Sequence, residues 1–163
     1  MTQTKKDDDP GLNPAFLEGL EQFRQEDFAK AVVCFRRADN TAGRNDVHIH
    51  KYTSYHGLAM ICLGDRSGIN LCRRAAQNER YDGEVYYNLA LAEFSLRNRQ
   101  RAVAALQRGL TIDATHPALL ELRQRLGVRR NPAISFLGRD HFLNKLIGKM
   151  TYQKKRRTTR SVR

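Results

Sequence analysis

Apolar side chains recur along this chain at intervals of three and four, separated by short polar runs, and the pattern is written three times. Phe16, Leu20 and Phe23 fall on one helical stripe, which follows Asn13 as an N-cap-like residue and Pro14 at the first helical position. Gln25-Glu26-Asp27 marks a turn, and Phe28 to Ala38 predicts a second helix containing Ala31-x-x-x-Phe35. Gly19 and Ala31 are small where two helix backbones are expected to cross closely. A weaker copy begins near Tyr52, with Gly57, a Gly64-Asp65 turn and Ala75-Ala76 closing its second helix. The third, near Val85, reads Tyr86-x-x-Leu89-Ala90, then Ala102-x-x-x-Leu106 and Gly109, ending in Ile112-Asp113. Thr115-His116-Pro117 opens a further helix over 118–126 with leucines at 119, 120, 122 and 126, and Gly127 ends it. Beyond Asn131-Pro132, Asp140 is an N-cap for a short amphipathic helix over about 141–150, with Phe142, Leu143, Leu146, Ile147 and Met150 on one face.

These copies resemble the tetratricopeptide repeat (TPR), a helix-turn-helix unit of about 34 residues with a W-x2-L-G…A-x3-F skeleton. The resemblance covers roughly residues 14–126. It implies an all-α fold: a TPR-like α-solenoid of helix hairpins with a C-terminal capping helix and a basic extension. The expected organisation is a disordered acidic leader over 1–12, a TPR-like domain over 13–127 and the extension over 128–163. Within the domain the repeats fall at about 13–46, 50–83 and 84–117, followed by the capping helix over 118–126. In the second copy either Gly68 or Ile69 stands where the first has Ala31, because one residue is missing from a turn. Thr53 and His56 stand where the family prefers tryptophan and leucine.

In this family the first helix of each pair lines a concave groove. The resemblance therefore places Phe16, Leu20, Phe23 and Arg24 in the groove, then Lys51, Ser54, Leu58, Ile61 and Cys62, then Tyr87, Asn88, Leu91, Phe94 and Ser95. Such a largely apolar set suits an amphipathic helix or an apolar peptide, with Lys51 and Asn88 supplying orientation. Phe23 and Phe94 fit a groove and an interhelical core equally well. The family's chaperone-tail binders carry Lys and Asn in the first repeat's groove to grip a terminal carboxylate; here Phe16 and Leu20 hold those places. The function so implied is a non-catalytic protein–protein interaction scaffold whose partner is another protein.

Charge adds a second possibility. Residues 1–122 contain sixteen Lys/Arg and sixteen Asp/Glu, whereas residues 123–163 contain thirteen Lys/Arg and a single acid, Asp140, so the net charge of +12 lies entirely in the last quarter. Lys145, Lys149, Lys154, Lys155, Arg156, Arg157 and Arg160 could meet an acidic surface, nucleic acid or anionic lipid, or simply keep a solvated tail soluble. A nucleic-acid-associated protein or a peripheral membrane adaptor acting through this tail is the alternative to the scaffold. The apolar face of 142–150 caps the solenoid, occupies its groove, or rests on a membrane.

Three cysteines without paired spacing point to a reducing compartment, and no apolar run approaches the length of a membrane span, so a cytoplasmic location is expected. Cys34, Cys62 and Cys72 sit among apolar neighbours and read as small core fillers. His48, His50 and His56 lie within nine residues but lack the spacing of a metal site, so no metal or cofactor is expected. No phosphate loop, nucleophile elbow or HExxH is present, which argues against an enzyme.

Overall fold

The computed structural model describes residues 11–43 and 45–127. Residues 1–10 of the leader expected over 1–12, the extension over 128–163 and its amphipathic helix over about 141–150 lie outside the described residues.

Seven helices and no strand occupy the described residues: α1 (Pro14–Arg24), α2 (Phe28–Thr41), α3 (Ile49–Cys62), α4 (Gly68–Asn78), α5 (Gly83–Ser95), α6 (Arg99–Ile112) and α7 (Pro117–Arg125). They form three hairpins, α1–α2, α3–α4 and α5–α6, and α7 packs on α5 and α6. The middle helices α3 and α5 touch each other and the second helices on either side, while α2, α4 and α6 make no substantial contact among themselves. The second helices are thus an outer row, and the first helices carry the stack.

The first two residues past each of α1, α3 and α5 are drawn the same way. Glu26, Gly64 and Arg97 adopt positive φ (60°, 98° and 63°). Each donates its N–H to the residue three before it, and the next residue, Asp27, Asp65 or Asn98, reaches back five to Gln22, Met60 or Glu93. This is the Schellman closure, which satisfies the orphan carbonyls of a helix end and points the chain back on itself. Asp27 Oδ1 then accepts from Lys30 N and opens α2.

The backbones cross where the sequence is smallest. A Cβ at Gly57 would lie 2.5 Å from the Gly68 carbonyl oxygen, and one at Gly68 would lie 2.3 Å from that of Gly57. Gly57 also faces Leu71 and Cys72, as Gly19 faces Cys34 and Phe35. The two faces settle the second repeat's register: Gly68 holds the place of Ala31, Cys72 that of Phe35 and Ala75 that of Ala38. The missing residue lies between Asp65 and Gly68, ahead of α4, which begins later after its turn than α2 does.

Thr53 and His56 find a common explanation in one carboxylate. Asp39 on α2 accepts from Thr53 Oγ1 at 2.5 Å, and its other oxygen lies 3.3 Å from His56 Nδ1. Thr53 and His56 are buried, so a polar triad stands at the α2–α3 interface where the family has apolar bulk. Burial pushes the Asp39 carboxyl up, but the bonds from His56 and Thr53 outweigh it and hold the group below its ordinary value.

Asn13 ties the first hairpin to the second. Its Oδ1 accepts from Ala15 N, its Nδ2 donates to Thr41 Oγ1, and its backbone N–H donates to the Tyr52 hydroxyl. Thr41 in turn donates to the Arg37 carbonyl, and α2 runs on to Thr41, three residues beyond its expected end. At the other end of the stack Leu119, Leu122 and Leu126 are buried beneath α7, with Leu119 seated against Gly83 and Gly109.

Three outcomes follow from these contacts. Arg97→Gly removes the cost of a left-handed non-glycine residue and should raise stability by about 1 kcal/mol in urea unfolding. Gly57→Ala gains about 1 kcal/mol of helix propensity but forces the α3–α4 crossing apart, and should lower stability by about 2 kcal/mol net. Asp39→Asn should cost about 1–3 kcal/mol at neutral pH. Because the folded pKa of Asp39 is depressed, its contribution is complete above the ordinary carboxylate range and is lost as pH falls through the folded value. Variant and parent should therefore converge in acid, as thermal melts across pH would show.

Candidate interaction face on the first helices

The first helices present one face built in two parts. Near α1 the space is filled by rings. Phe16, Phe23, Phe28, Phe35, Tyr52 and Tyr55 form a connected block with centroid separations of 4.9 to 6.2 Å, mostly tilted or edge-on. These rings separate α1 from α3. Between α3 and α5 the approach is closer and polar. Asn88 Nδ2 donates to Ser54 Oγ at 3.0 Å, and Ser54 Oγ donates to the Lys51 carbonyl at 2.8 Å. Both side chains are fully buried, so this bond is made in the interior, where an unmatched partner would be expensive.

Lys51 lies above that pair and is not free to orient a ligand. Its ammonium is 3.1 Å from Asp82 and 3.4 Å from Glu84, with only 17% of the side chain exposed. Burial pulls its pKa down, but Asp82 and then Glu84 more than compensate and hold it above the usual lysine value. Tyr55 completes the group by donating its hydroxyl to Glu84 at 2.5 Å. The cluster joins the start of α3 to the start of α5. Sequence reading found Lys51 but missed Asp82, Glu84 and Tyr55. Their signal was the helix-start acids of α5 and a tyrosine one helical turn after Lys51.

The apolar residues divide by depth. Phe16 and Leu20 are buried in one apolar cluster, Leu58 and Ile61 in a second with Ile69, Cys72 and Ala92, and Phe23 packs against both. Phe23, Tyr87 and Leu91 are half-buried, whereas Arg24, Cys62, Phe94 and Ser95 are exposed, Phe94 by 48%. Of the two residues that fit groove and core equally well, Phe23 packs against both apolar clusters and stays partly open, and Phe94 is exposed. Tyr87 stacks on His116 at 6.3 Å, bringing the start of α7 to this face. Burial, then the Glu121 carboxylate, pushes the Tyr87 phenol up. The Cys62 thiol is raised by burial alone, which leaves it a weakly reactive thiol rather than a thiolate nucleophile.

Of the polar groups expected to orient a partner, Lys51 and Asn88 are therefore engaged inside the protein. Arg24 stands exposed with Glu21 3.8 Å away. No group of three or more His, Cys, Asp or Glu residues with metal-binding geometry occurs among the described residues, and His48, His50 and His56 are not gathered. No described helix is long and apolar enough to cross a membrane. The seven tail positions from Lys145 to Arg160 lie outside the described residues.

No family model matches this sequence, and no curated protein sequence matches it. Solved structures do. One is the first TPR of Spaghetti (RPAP3) bound to the HSP90 peptide SRMEEVD, with a TM-score of 0.55 and 16% identity, covering 69% of this chain and 87% of that one. The hairpin order, the repeated αL closures and this likeness agree: the chain has the all-α, TPR-like solenoid fold.

Proposed function

We propose that the face of α1, α3 and α5 holds an amphipathic helix or apolar peptide of a partner protein, and that the chain works by binding rather than by catalysis. The observation that supports this most is the change in depth along the three first helices. Phe23, Cys62, Leu91 and Phe94 stand partly or fully open at the C-terminal ends of three neighbouring helices, above a closed apolar floor. Burying such side chains contributes about 25 cal/mol per Å² of apolar surface, so a few anchors suffice for a micromolar complex.

The structurally similar TPR is bound to a peptide that ends in two glutamates, a valine and a C-terminal aspartate. This face is poorly suited to that chemistry. Phe16 and Leu20 replace the cationic and amide positions of tail binders, and Lys51 is already neutralised by Asp82 and Glu84. An acidic terminus would meet Glu84 without a free ammonium beside it. An apolar segment with a neutral or basic flank fits better.

Panning a peptide-display library with the full chain tests this reading. Enriched sequences should carry apolar residues at i, i+3 or i+4 spacing, and Phe94→Glu should weaken them at least tenfold while leaving the helical circular dichroism unchanged. Enrichment of acidic C-termini, insensitive to Phe94→Glu, would overturn it.

A further inference from the structure

The outer helices have an electrostatic character that the balanced composition of residues 1–122 conceals. Lys30, Arg36 and Arg37 lie on α2, Arg73 and Arg74 on α4, and Arg99, Arg101 and Arg108 on α6. The one acid on these three helices, Asp39, is held by Thr53 and His56. The first helices α1, α3 and α5 carry the opposite balance, with Glu18, Glu21, Glu84 and Glu93 against Arg24 and Lys51. Repeat symmetry has sorted the charge by helix row.

Within that row the cations recur in register. With Cys72 in the place of Phe35 and Leu106 likewise, Arg37, Arg74 and Arg108 occupy one equivalent position on α2, α4 and α6. The position thus recurs once per repeat, a ladder whose rungs sit on three helices that do not pack on one another. Arg37 meets Glu18 at the surface, Arg74 stands near Asp39, and Arg108 lies over the Tyr86 ring at 5.9 Å. Arg36 and Arg101 flank the ladder and make no hydrogen bond or ion pair among the described residues.

We propose that this outer row is a binding surface for single-stranded nucleic acid, separate from the peptide face and formed by the folded repeats themselves. An arginine at the same position of each repeat, in a row of helices whose single acid is already bonded, complements a polyanion. The choice of arginine, with its planar fork of donors, suits phosphate oxygens and base stacking. Places for bases lie beside it. Tyr81, immediately after Arg80 in the α4–α5 loop, is 88% exposed and offers a free ring. Between α2 and α4 a cleft of about 450 Å³ has Val32, Met60 and Leu71 among its apolar walls and Arg36, Asp65 and Asn70 among its polar ones. An unstacked base fits that mixture of ring-sized apolar space and hydrogen-bonding edges. A bilayer is a poorer match, because the exposed neighbours of these arginines are mostly polar, Asn70, Gln77, Asn78 and Gln100 among them, and Val33 and Tyr81 are isolated apolar residues rather than an insertable stripe.

Fluorescence anisotropy of the full chain with a labelled 20-mer oligouridylate tests the assignment, alongside the same length of oligodeoxythymidylate, phosphatidylserine vesicles and polyglutamate. The strands should bind, RNA and DNA being told apart by their two arms. Arg37→Gln/Arg74→Gln/Arg108→Gln should lose at least tenfold in affinity at 0.1 M salt and lower the salt slope by about 2, since each phosphate contact contributes about 0.7. The corresponding Lys triple should keep most of the affinity. Should the Gln triple melt early, Arg36→Gln/Arg101→Gln, at positions without partners, should show a several-fold loss in a protein of parental stability. Failure of the parent to bind either strand overturns the proposal. So does unchanged affinity in the Gln variants, which would place binding in residues 129–163, or tighter capture of vesicles or polyglutamate than of the strands.

Discussion

Close approach of backbones inside each hairpin is the constraint from which the other features descend. At Gly57 and Gly68 there is no room for a single methyl group. Once the hairpins are that thin, their first helices can stack side by side and their second helices are displaced outward into a separate row. The αL closures at Glu26, Gly64 and Arg97 serve the same end, because the chain must reverse within a few residues for the crossing to occur. Two of those three positions accept a strained non-glycine conformation. The geometry of reversal is evidently worth more than the local penalty, of about 1–2 kcal/mol.

A thin hairpin has only two sides, and the protein gives them different chemistry. The inner side is a layered surface: a buried apolar floor, polar ties at Ser54–Asn88 and Lys51–Asp82–Glu84, and a few open apolar residues toward the helix ends. The outer side is cationic and polar. Because side chains one turn apart share a face, a substitution on the outward face of α2, α4 or α6 alters the outer row while leaving Phe35, Ile69 and Cys72, which face the core from the same helices, in place.

Much of the fold was legible because it rests on periodic small and apolar residues. The stripe Phe16, Leu20, Phe23, the Ala31/Phe35 and Ala102/Leu106 spacings and the Pro14 and Pro117 starts all mark helices that are present. The site was less legible, for two reasons. Groove positions inferred from repeat register say which way a residue points but not how deep it sits, and depth here depends on neighbouring hairpins. Ser54 and Asn88 point toward the expected groove yet are closed over by the approach of α3 to α5. Polar partners distant in sequence were also invisible. Nothing local connects Asp39 to Thr53 and His56, although that triad explains both departures from the repeat pattern.

The two junctions of the stack are unlike, and stiffness follows from that difference. Between α3 and α5 a buried hydrogen bond with strict direction fixes the separation and the angle. Between α1 and α3 the filling is mainly rings meeting at tilted and edge-on angles, an arrangement with many orientations of similar energy. In a solenoid each unit leans only on its neighbours, so compliance is set junction by junction. The first junction takes its direction from its outer side, where Asp39 holds Thr53 and His56, and the second from its inner side, where Asn88 holds Ser54. The rings between α1 and α3 are thus where the inner face has most freedom to adjust, and the bond between α3 and α5 is where it has least.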